Sequence, residues 1–452
     1  MADEVDLIVI GSGQGGVPLA AEFGKAGKRV VLFERERLGG TCVNFGCTPS
    51  KAFLASAHAA GRARLAGDRL GVHCDVHVDQ RAVMQRVRAV RDEWHAGVGP
   101  RLERAGVEVV LADAAFTGER TVRGGEREVR ANVVVIDTGT SPAIPPIPGL
   151  DDVPYLTNKT FFDQETLPAR LIVLGGGYVG LELGQGAQRL GSAVTIVEGG
   201  ARLMAREEAD AADVLRTSLE RDGVQLELGA HASAIAYDGS TYRVTLASGE
   251  VIEGDGLLIA TGRTPNTSGL GLERSGIATT QSGTVQVDEH LESTCAGVYA
   301  IGEAAGQPAF THVAWEDYRR LASTLAGTPR RRDDRVLSYS TFTEPQLGRT
   351  GRTEAEARAA GIDARTVTLQ LSEVARGVEW DLELGFFRLV VDNANGKMIG
   401  ATFVGYEAGE IVQVVGFAIQ LGATGRQLDD FVAIHPTFGE GLPSLARLLE
   451  KA

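Results

Sequence analysis

The feature that most constrains the fold is a strand, a glycine-rich turn and a helix, which follow one another in this order twice along the chain. The first copy joins the apolar segment 5–10 through the turn 11–16, Gly-Ser-Gly-Gln-Gly-Gly, to a helical pattern over 17–26. The second copy joins the segment 171–174 to the turn 175–180, Gly-Gly-Gly-Tyr-Val-Gly. Glycines at these spacings allow a tight turn and the close approach of a pyrophosphate, while the helix N-terminus supplies N–H donors. The sequence therefore predicts two dinucleotide sites.

An acid ends the second strand of each copy. Glu34 follows the first turn and Glu198 follows the second. A carboxylate roughly twenty residues after such a turn binds the ribose hydroxyls of a dinucleotide. Glu198 would repel a 2′-phosphate and the closing Gly180 fits the same choice, so NADH is favoured over NADPH. Arg202 and Arg206 keep NADPH open as the alternative.

Two cysteines, Cys42 and Cys47, lie just behind the first unit. The residues between them are enough to bend the chain back, and Gly46 lowers the cost of a tight entry into the helix that follows. A sulfur near a helix N-terminus experiences a positive field that favours the thiolate. We interpret the pair as a redox-active disulfide, with a structural disulfide or two buried free thiols as alternatives. Zinc is disfavoured because no second Cys/His pair is near, and no metal site is predicted.

The length of 452 residues indicates about three domains. The net charge of −14 argues against nucleic acid or an anionic membrane as a partner. No apolar run approaches the length of a membrane span, and the chain enters a strand pattern directly after residues 1–4 without a signal peptide. We therefore expect a cytoplasmic protein, and four cysteines in the whole chain fit a reducing compartment.

Three further segments organise the chain. Residues 53–102 have the pattern of one or two long Arg-rich amphipathic helices. The proline cluster 142–148 is stiff and marks a boundary. A strand over 298–301, followed by Gly302 and Glu303, is placed to return the chain to the first nucleotide, and antiparallel-type strands begin near residue 336.

The order of these parts resembles a known family. After the first glycine turn come the C-x4-C pair, the second turn, Ala-Thr-Gly-Arg-Thr-Pro-Asn at 260–266, a strand ending in Gly and an acid, and His-Pro-Thr-Phe-Gly-Glu at 435–440. Over essentially its full length the chain resembles the FAD-dependent pyridine nucleotide-disulfide oxidoreductases, the class that contains dihydrolipoamide dehydrogenase, glutathione reductase and mercuric reductase. The segment around the two cysteines is most similar to the mercuric-reductase-like branch.

This resemblance implies an α/β fold with two doubly wound dinucleotide-binding (Rossmann-like) domains and an α+β dimerisation domain. It also implies two cofactors, FAD and NAD(P)H, and a homodimer. The domain bounds that we expect are 1–150 for the first part of the FAD-binding domain, 151–268 for the NAD(P)-binding domain, 269–335 for the return segment of the FAD-binding domain, and 336–452 for the C-terminal dimerisation domain.

The resemblance also implies roles for the residues of a catalytic site. Cys47 would lie under the flavin as the charge-transfer thiol, and Cys42 would attack the substrate. Lys51 would lie near flavin N5, paired with Glu182. Tyr178 would cover the nicotinamide pocket. The remaining catalytic pair is His435, the acid–base that would reach across to Cys42 of the partner subunit, and Glu440, which orients it.

The cofactor-binding positions are also implied by the resemblance. Those for FAD are Gly11, Gly13, Gly16, Glu34, Thr41, Lys51, Ala114, Gly139, Gly302, Glu303 and His312. Those for the nicotinamide nucleotide are Gly175, Gly177, Tyr178, Gly180, Glu198, Gly262 and Arg263.

The chain departs from the family pattern at two positions and from mercuric reductases in two further features. Glu303 stands where an Asp is usual, and Asp137 stands where a small Ala is usual, so we expect each to perturb FAD binding. His435 stands where mercuric reductases usually have Tyr, and residues 451–452 end the chain without the C-terminal Cys pair of those enzymes. We therefore expect a small-molecule disulfide as substrate, with reduction of Hg(II), Cu(II) or another electrophile by the same dithiol as the alternative. A flavin-binding protein without catalysis is disfavoured because the catalytic set is intact.

Overall fold

A computed structural model describes residues 3–451 of the chain. Residues 3–142 contain seven strands and five helices. The strands are β1 (Asp3–Ile10), β2 (Val30–Glu34), β3 (Val107–Leu111), β4 (Ala114–Gly118), β5 (Thr121–Gly124), β6 (Arg127–Ile136) and β7 (Thr140–Pro142). The helices are α1 (Gly16–Lys25), α2 (Gly40–Asn44), α3 (Cys47–Leu70), α4 (Gln80–Ala96) and α5 (Val98–Arg104).

Strands β1 to β6 form one sheet in the order β3-β2-β1-β6-β5-β4. Strand β1 is parallel to both β2 and β6, so Ile10, Phe33 and Ile136 reach the same edge of the sheet. The turn after β1 needs glycine because Gly11 has a φ of 103° and a Cβ there would lie 2.3 Å from the carbonyl oxygen of Asp137. The first predicted strand, turn and helix are therefore present.

The segment 53–102 differs from expectation, because it contains three helices rather than one or two. Helix α3 ends at Gly71, whose φ of 71° is left-handed. Helix α4 begins only at Gln80, where the Asp79 side chain accepts a hydrogen bond from the N–H of Ala82 at 3.0 Å. Gly97 then separates α4 from α5. The prediction used the apolar pattern alone, which does not reveal the residues that end one helix and cap the next.

The second unit repeats the first. Its elements are β8 (Arg170–Leu174), α6 (Tyr178–Arg189), β9 (Ala193–Glu198), α7 (Ala209–Arg221), β10 (Gln225–Leu228), β11 (Ala232–Tyr237), β12 (Tyr242–Leu246), β13 (Val251–Gly254), β14 (Gly256–Ile259) and β15 (Arg263–Pro265). The parallel order β10-β9-β8-β14 matches the order β3-β2-β1-β6 of the first sheet, and β11, β12 and β13 form an antiparallel sheet beside it. The chain then returns to the first sheet through β16 (Val298–Ala300), which is parallel to β6, and α8 (Thr311–Leu325).

The last part is an antiparallel sheet covered by helices. Its elements are β17 (Ser338–Thr341), β18 (Gln346–Gly351), α9 (Glu354–Ala359), β19 (Ala364–Gln370), α10 (Ala375–Glu379), β20 (Phe386–Asp392), β21 (Met398–Gly405), α11 (Ala408–Gln420), α12 (Gly425–Asp429) and α13 (Gly441–Arg447). The strand order is β17-β18-β21-β20-β19. Phe387 and Phe403 stack in its core with ring centroids 4.4 Å apart.

One hydrophobic core joins the three parts. Phe53 of α3 packs edge to face against Phe161, with ring centroids 5.4 Å apart, and the same cluster includes Ile196 of β9 and Phe386 of β20. Two nucleotide-type sheets and an antiparallel sheet thus confirm the predicted fold class. The exact domain bounds stay a prediction.

Candidate active site

A large cavity of about 650 Å³ lies where the carboxyl ends of β1, β2 and β6 meet helices α3, α6 and α8. The predicted site residues that line it are Gly11, Gly13, Glu34, Thr41, Cys42, Cys47, Lys51, Ala114, Gly139, Tyr178, Glu182, Arg263, Glu303 and His312. The predicted residues that do not line it are Gly16, Gly302, Gly175, Gly177, Gly180, Glu198, Gly262, His435 and Glu440. A cavity of this volume is typical of cofactor sites.

The two cysteines are in contact at the wall of this cavity, as free thiols. Cys42 lies in α2, and Cys47 is the first residue of the long helix α3. A hydrogen bond from the Cys42 thiol, together with the nearby Thr311 hydroxyl and the charge of Lys51, lowers the pKa of Cys47 to about 6 despite its burial. The same bond to Cys47, together with burial, raises the pKa of Cys42. In this chain the thiolate therefore forms on Cys47 and the proton remains on Cys42.

Lys51 is held by an ion pair with Glu182 of α6. Its Nζ lies 2.8 Å from Oε2 of Glu182 and 4.3 Å from the ring centroid of Phe342. The other carboxylate oxygen of Glu182 accepts the backbone N–H of Phe342 at 2.9 Å. The pair that the sequence predicted is therefore formed, and it is anchored by a residue just beyond β17.

Glu34 braces the first glycine turn. Its Oε2 accepts the N–H of Ser12 at 3.0 Å and the hydroxyl of Ser12 at 2.6 Å, while Oε1 accepts the N–H of Glu36 at 2.8 Å. The side chain is 8% exposed and borders the cavity. This arrangement fixes a carboxylate at the end of β2, where the ribose of a dinucleotide would be bound.

The two unusual acids take different positions. The longer side chain of Glu303 accepts a hydrogen bond from the hydroxyl of Thr140, and its Oε1 lies 3.0 Å from Nε of Arg263. Asp137 is buried behind the first glycine turn, where its Oδ2 accepts the N–H of Gly16 at 2.7 Å. Both residues nevertheless line the cavity.

Tyr178 lies at the start of α6 and closes one side of the cavity. Its hydroxyl donates to Oε1 of Glu207 at 2.5 Å, and the hydroxyl of Tyr339 donates to the same oxygen at 2.9 Å. Burial and the Glu207 carboxylate raise the pKa of Tyr178. Phe310 completes the group, with its ring 5.7 Å from the Tyr178 ring and 4.8 Å from the Tyr339 ring.

The glycines of the second turn do not line the large cavity, but this turn has the same construction as the first. A Cβ on Gly180 would lie 2.0 Å from the carbonyl oxygen of Gly175. Glu198 accepts the N–H groups of Gly176 and Gly200, both at 2.6 Å. Arg202 donates to the carbonyl oxygens of residues 205 and 207 at 2.8 and 2.6 Å.

His435 is on the surface of the chain. Its side chain is 72% exposed, and Nδ1 lies 2.6 Å from Oε2 of Glu440. The N–H of Glu440 also donates to the hydroxyl of Thr437 at 3.2 Å. The pair His435 and Glu440 is therefore formed, but within this chain it does not reach the cavity that contains the cysteines.

The chain belongs to the pyridine nucleotide-disulphide oxidoreductase family. The model of that family matches residues 5–317, and the model of its dimerisation domain matches residues 337–446. The mercuric reductase of Acidithiobacillus ferrooxidans is 35% identical over 452 residues, which cover 98% of this chain and 82% of that relative. The dihydrolipoyl dehydrogenase of Haloferax volcanii is 33% identical, with 99% of this chain and 96% of that relative covered. The Cu(II) complex of the HOCl-induced flavoprotein disulfide reductase RclA from Escherichia coli has a TM-score of 0.89 at 30% identity, with 99% and 100% covered.

Membership confirms the class that the motifs indicated. The protein is a flavoprotein oxidoreductase that transfers electrons from NAD(P)H through FAD to a redox disulfide, and it carries a dimerisation domain. The cavity fits FAD on its own chemistry, because its wall combines the first glycine turn, the fixed carboxylate of Glu34 and the two thiols. Within residues 3–451 no helix is long and apolar enough to cross a membrane.

The residues at the site that the sequence did not indicate include Thr311, Phe342 and Glu207. Thr311 begins a helix shortly after the turn at 302–303, and a hydroxyl at such a helix start was a usable signal. Phe342 and Glu207 had no such signal, because each meets its partner only through packing of different parts of the chain.

Proposed function

We propose that this protein uses NADH to reduce a small disulfide substrate through the dithiol of Cys42 and Cys47. The observation that carries the proposal is the contact between these two thiols at the cavity wall, with Thr311 and Lys51 beside Cys47. FAD, when bound, accepts a hydride from the nicotinamide and passes two electrons to the pair. The chain itself supplies the Cys47 thiolate, the groups that hold the protons and the walls of the cavity.

The two cysteines divide the thiol–disulfide exchange between them. Cys42, once deprotonated, attacks one sulfur of the substrate and forms a mixed disulfide, which releases the first substrate thiol. The Cys47 thiolate then attacks the sulfur of Cys42 and releases the second thiol. Two enzyme thiols are thereby oxidised to one disulfide while the substrate disulfide is reduced, and each leaving sulfur takes a proton. The lowered pKa of Cys47 keeps it ready for the second attack.

We assign the base for Cys42 to His435 of the partner subunit. Nδ1 of this imidazole is bound to Glu440, which leaves Nε2 free for a proton, and the side chain is exposed in its own chain. The dimerisation domain supports a homodimer. Val414 and Phe417 of α11 and Leu421, the residue that directly follows it, are exposed apolar side chains whose helical spacing supports burial in such an interface.

The preference for NADH rests on the second glycine turn. Glu198 is oriented by two N–H groups, so its carboxylate is held where it would accept a ribose hydroxyl and repel a 2′-phosphate. Arg202 is occupied by two carbonyl oxygens, which leaves it poorly placed to bind that phosphate.

Tyr178 would cover the nicotinamide pocket in the absence of the nucleotide. Its ring lines the cavity beside Phe310, and its hydroxyl is bound to the buried carboxylate of Glu207. The nucleotide would then have to displace this side chain, which breaks the bond to Glu207. The Tyr178 ring would exclude water from the flavin between turnovers.

The second candidate function is reduction of Hg(II) or Cu(II) by the same dithiol. The similarity to mercuric reductases favours it, and thiolates are the preferred ligands of such soft ions. His435 stands where mercuric reductases usually have Tyr, which favours a disulfide over a metal ion as substrate. We therefore rank the metal ion below the disulfide.

We also propose that the enzyme works in the cytoplasm. The two cysteines outside the site, Cys74 and Cys295, are free thiols in the structure. Unpaired thiols persist in a reducing compartment, which is also where a dithiol of low pKa is useful for reduction.

The proposal is tested by assaying the purified holoenzyme with lipoamide, a panel of low-molecular-weight disulfides, Hg(II) and Cu(II), each with NADH and with NADPH. We expect the largest kcat/KM for a disulfide with NADH. A metal ion turned over more efficiently than every disulfide would contradict the substrate assignment, and NADPH as the better donor would contradict the role of Glu198. Cys74→Ser serves as the matched cysteine control because Cys74 is exposed and does not line the cavity.

A further inference from the structure

Asp137 is a buried carboxyl group at the place where a dinucleotide-binding turn meets its sheet. It directly follows β6, and its Oδ2 accepts the N–H of Gly16, the first residue of α1, at 2.7 Å. The carboxyl fills the space behind the turn, because a Cβ on Gly13 would lie 2.6 Å from Oδ2. The side chain is 7% exposed and borders the cavity. An acid here is unexpected, since this end of a helix normally binds the negative charge of phosphates.

The groups that surround Asp137 do not neutralise a negative charge on it. The charged side chains that face it from neighbouring elements are Asp317 of α8, Glu303 after β16, and Glu34 of β2. All three are acids. Two of these acids are themselves paired with cations, Asp317 with Arg335 at 2.5 Å and Glu303 with Arg263 at 3.0 Å. Burial, reinforced by these acids and opposed by the Gly16 N–H, raises the pKa of Asp137 to about 8.

We infer that Asp137 is a further FAD-binding residue that acts as a neutral carboxylic acid, so that FAD binding is coupled to its protonation. In the neutral form, one oxygen still accepts the Gly16 N–H and keeps the turn in place, while no negative charge opposes the phosphates of the cofactor. In the ionised form, the carboxylate would compete with those phosphates for the positive end of α1. Bound FAD, which is itself anionic, therefore favours the protonated acid.

The sign of the coupling follows from the raised pKa. Below about pH 8 the acid is neutral in the FAD-free protein and binding needs no proton. As the pH rises through this value the FAD-free protein ionises, and binding must take up one proton. For one coupled proton the dissociation constant of FAD then rises by about tenfold per pH unit.

The experiment measures the dissociation constant of FAD from the holoenzyme by dilution, using the fluorescence of released flavin, between about pH 6 and about pH 10. We expect a constant value in the acid range and the stated rise in the alkaline range. Asp137→Asn keeps the shape, an acceptor for Gly16 and a polar hydrogen but cannot ionise, so its affinity should match the parental acid-range value at every pH.

The matched control is Asp151→Asn, the same substitution at an exposed acid that does not line the cavity. This variant should keep the alkaline rise. The inference is overturned if the parental dissociation constant is flat across the range, if the Asp137→Asn protein retains the rise, or if it binds FAD tenfold or more weakly than the parent in the acid range. The dissociation constant of the parental protein alone shows whether FAD binding depends on pH, even if a variant does not fold.

Discussion

The sulfur of Cys47 lies 2.9 Å from the hydroxyl oxygen of Thr311, although the two residues are 264 positions apart in the chain. Cys47 begins α3 and Thr311 begins α8, so the starts of two helices meet at one sulfur. A hydroxyl that donates to a thiolate stabilises the charged form. Thr311 is therefore part of what lowers the pKa of Cys47.

Replacing Thr311 with Val should raise the pKa of Cys47 from its value of about 6. A hydrogen bond to a charged group contributes about 1.5 kcal/mol or more, which corresponds to about one pH unit. Because the thiolate exists above its pKa, the charge-transfer absorbance of the two-electron-reduced holoenzyme should reach half its maximum about one pH unit higher. Thr311→Ser keeps the hydroxyl and is the control. An unshifted midpoint in the Val variant would refute the role of this hydrogen bond.

Cys42→Ser should abolish disulfide reduction while FAD remains bound. The Cys47 thiolate would persist beside the flavin, so the oxidised variant should show a long-wavelength charge-transfer band without added reductant. Cys74→Ser and Cys295→Ser should have near-parental activity, because neither side chain lines the cavity. Full activity of the Cys42→Ser protein would show that the attacking sulfur has been wrongly assigned.

The repeated glycine turns and the cysteine pair were predictable because each is a local pattern with a single physical purpose. The direction of the Glu303 side chain was not predictable from the sequence. Its longer side chain turns toward Thr140 and Arg263, and the positions of these groups depend on the pairing of β7 with β15. The resemblance implied that His435 lies outside the cavity of its own chain. The sequence alone gives no information about the distances between the first and last segments of the chain.

Glu207 and Tyr178 provide the third prediction. Glu207→Gln replaces a charged acceptor of two phenol hydroxyls by a neutral one, which weakens each bond by about 1 kcal/mol. The Tyr178 ring should then be displaced more easily, so KM for NADH should fall by about fivefold while kcat changes less. The measurement is steady-state kinetics at varied NADH.

The control for this variant is Glu208→Gln, which alters the neighbouring acid that pairs with Arg388 rather than with the tyrosines. Its KM for NADH should stay close to the parental value. Since Glu207 also lies 3.5 Å from Arg349, a lower melting temperature is expected for Glu207→Gln as well. A lower melting temperature with an unchanged KM would mean that Glu207 has only a structural role.

The last prediction concerns the two subunits. If His435 acts on the partner subunit's Cys42, homodimers of Cys42→Ser and of His435→Ala should both be poor catalysts, since one lacks the attacking sulfur and the other lacks the proton carrier. In a dimer of one chain of each kind, one site receives both defects and the other receives neither. Differently tagged chains can be co-expressed and the mixed dimer purified through both tags. It should recover about half of the parental activity per dimer, if the two sites work independently. Since the His435 side chain is exposed in the single chain and the N–H of Glu440 keeps its bond to Thr437, the His435→Ala subunit should still fold. A mixed dimer as inactive as both parent variants would mean that His435 serves its own chain or takes no part in catalysis.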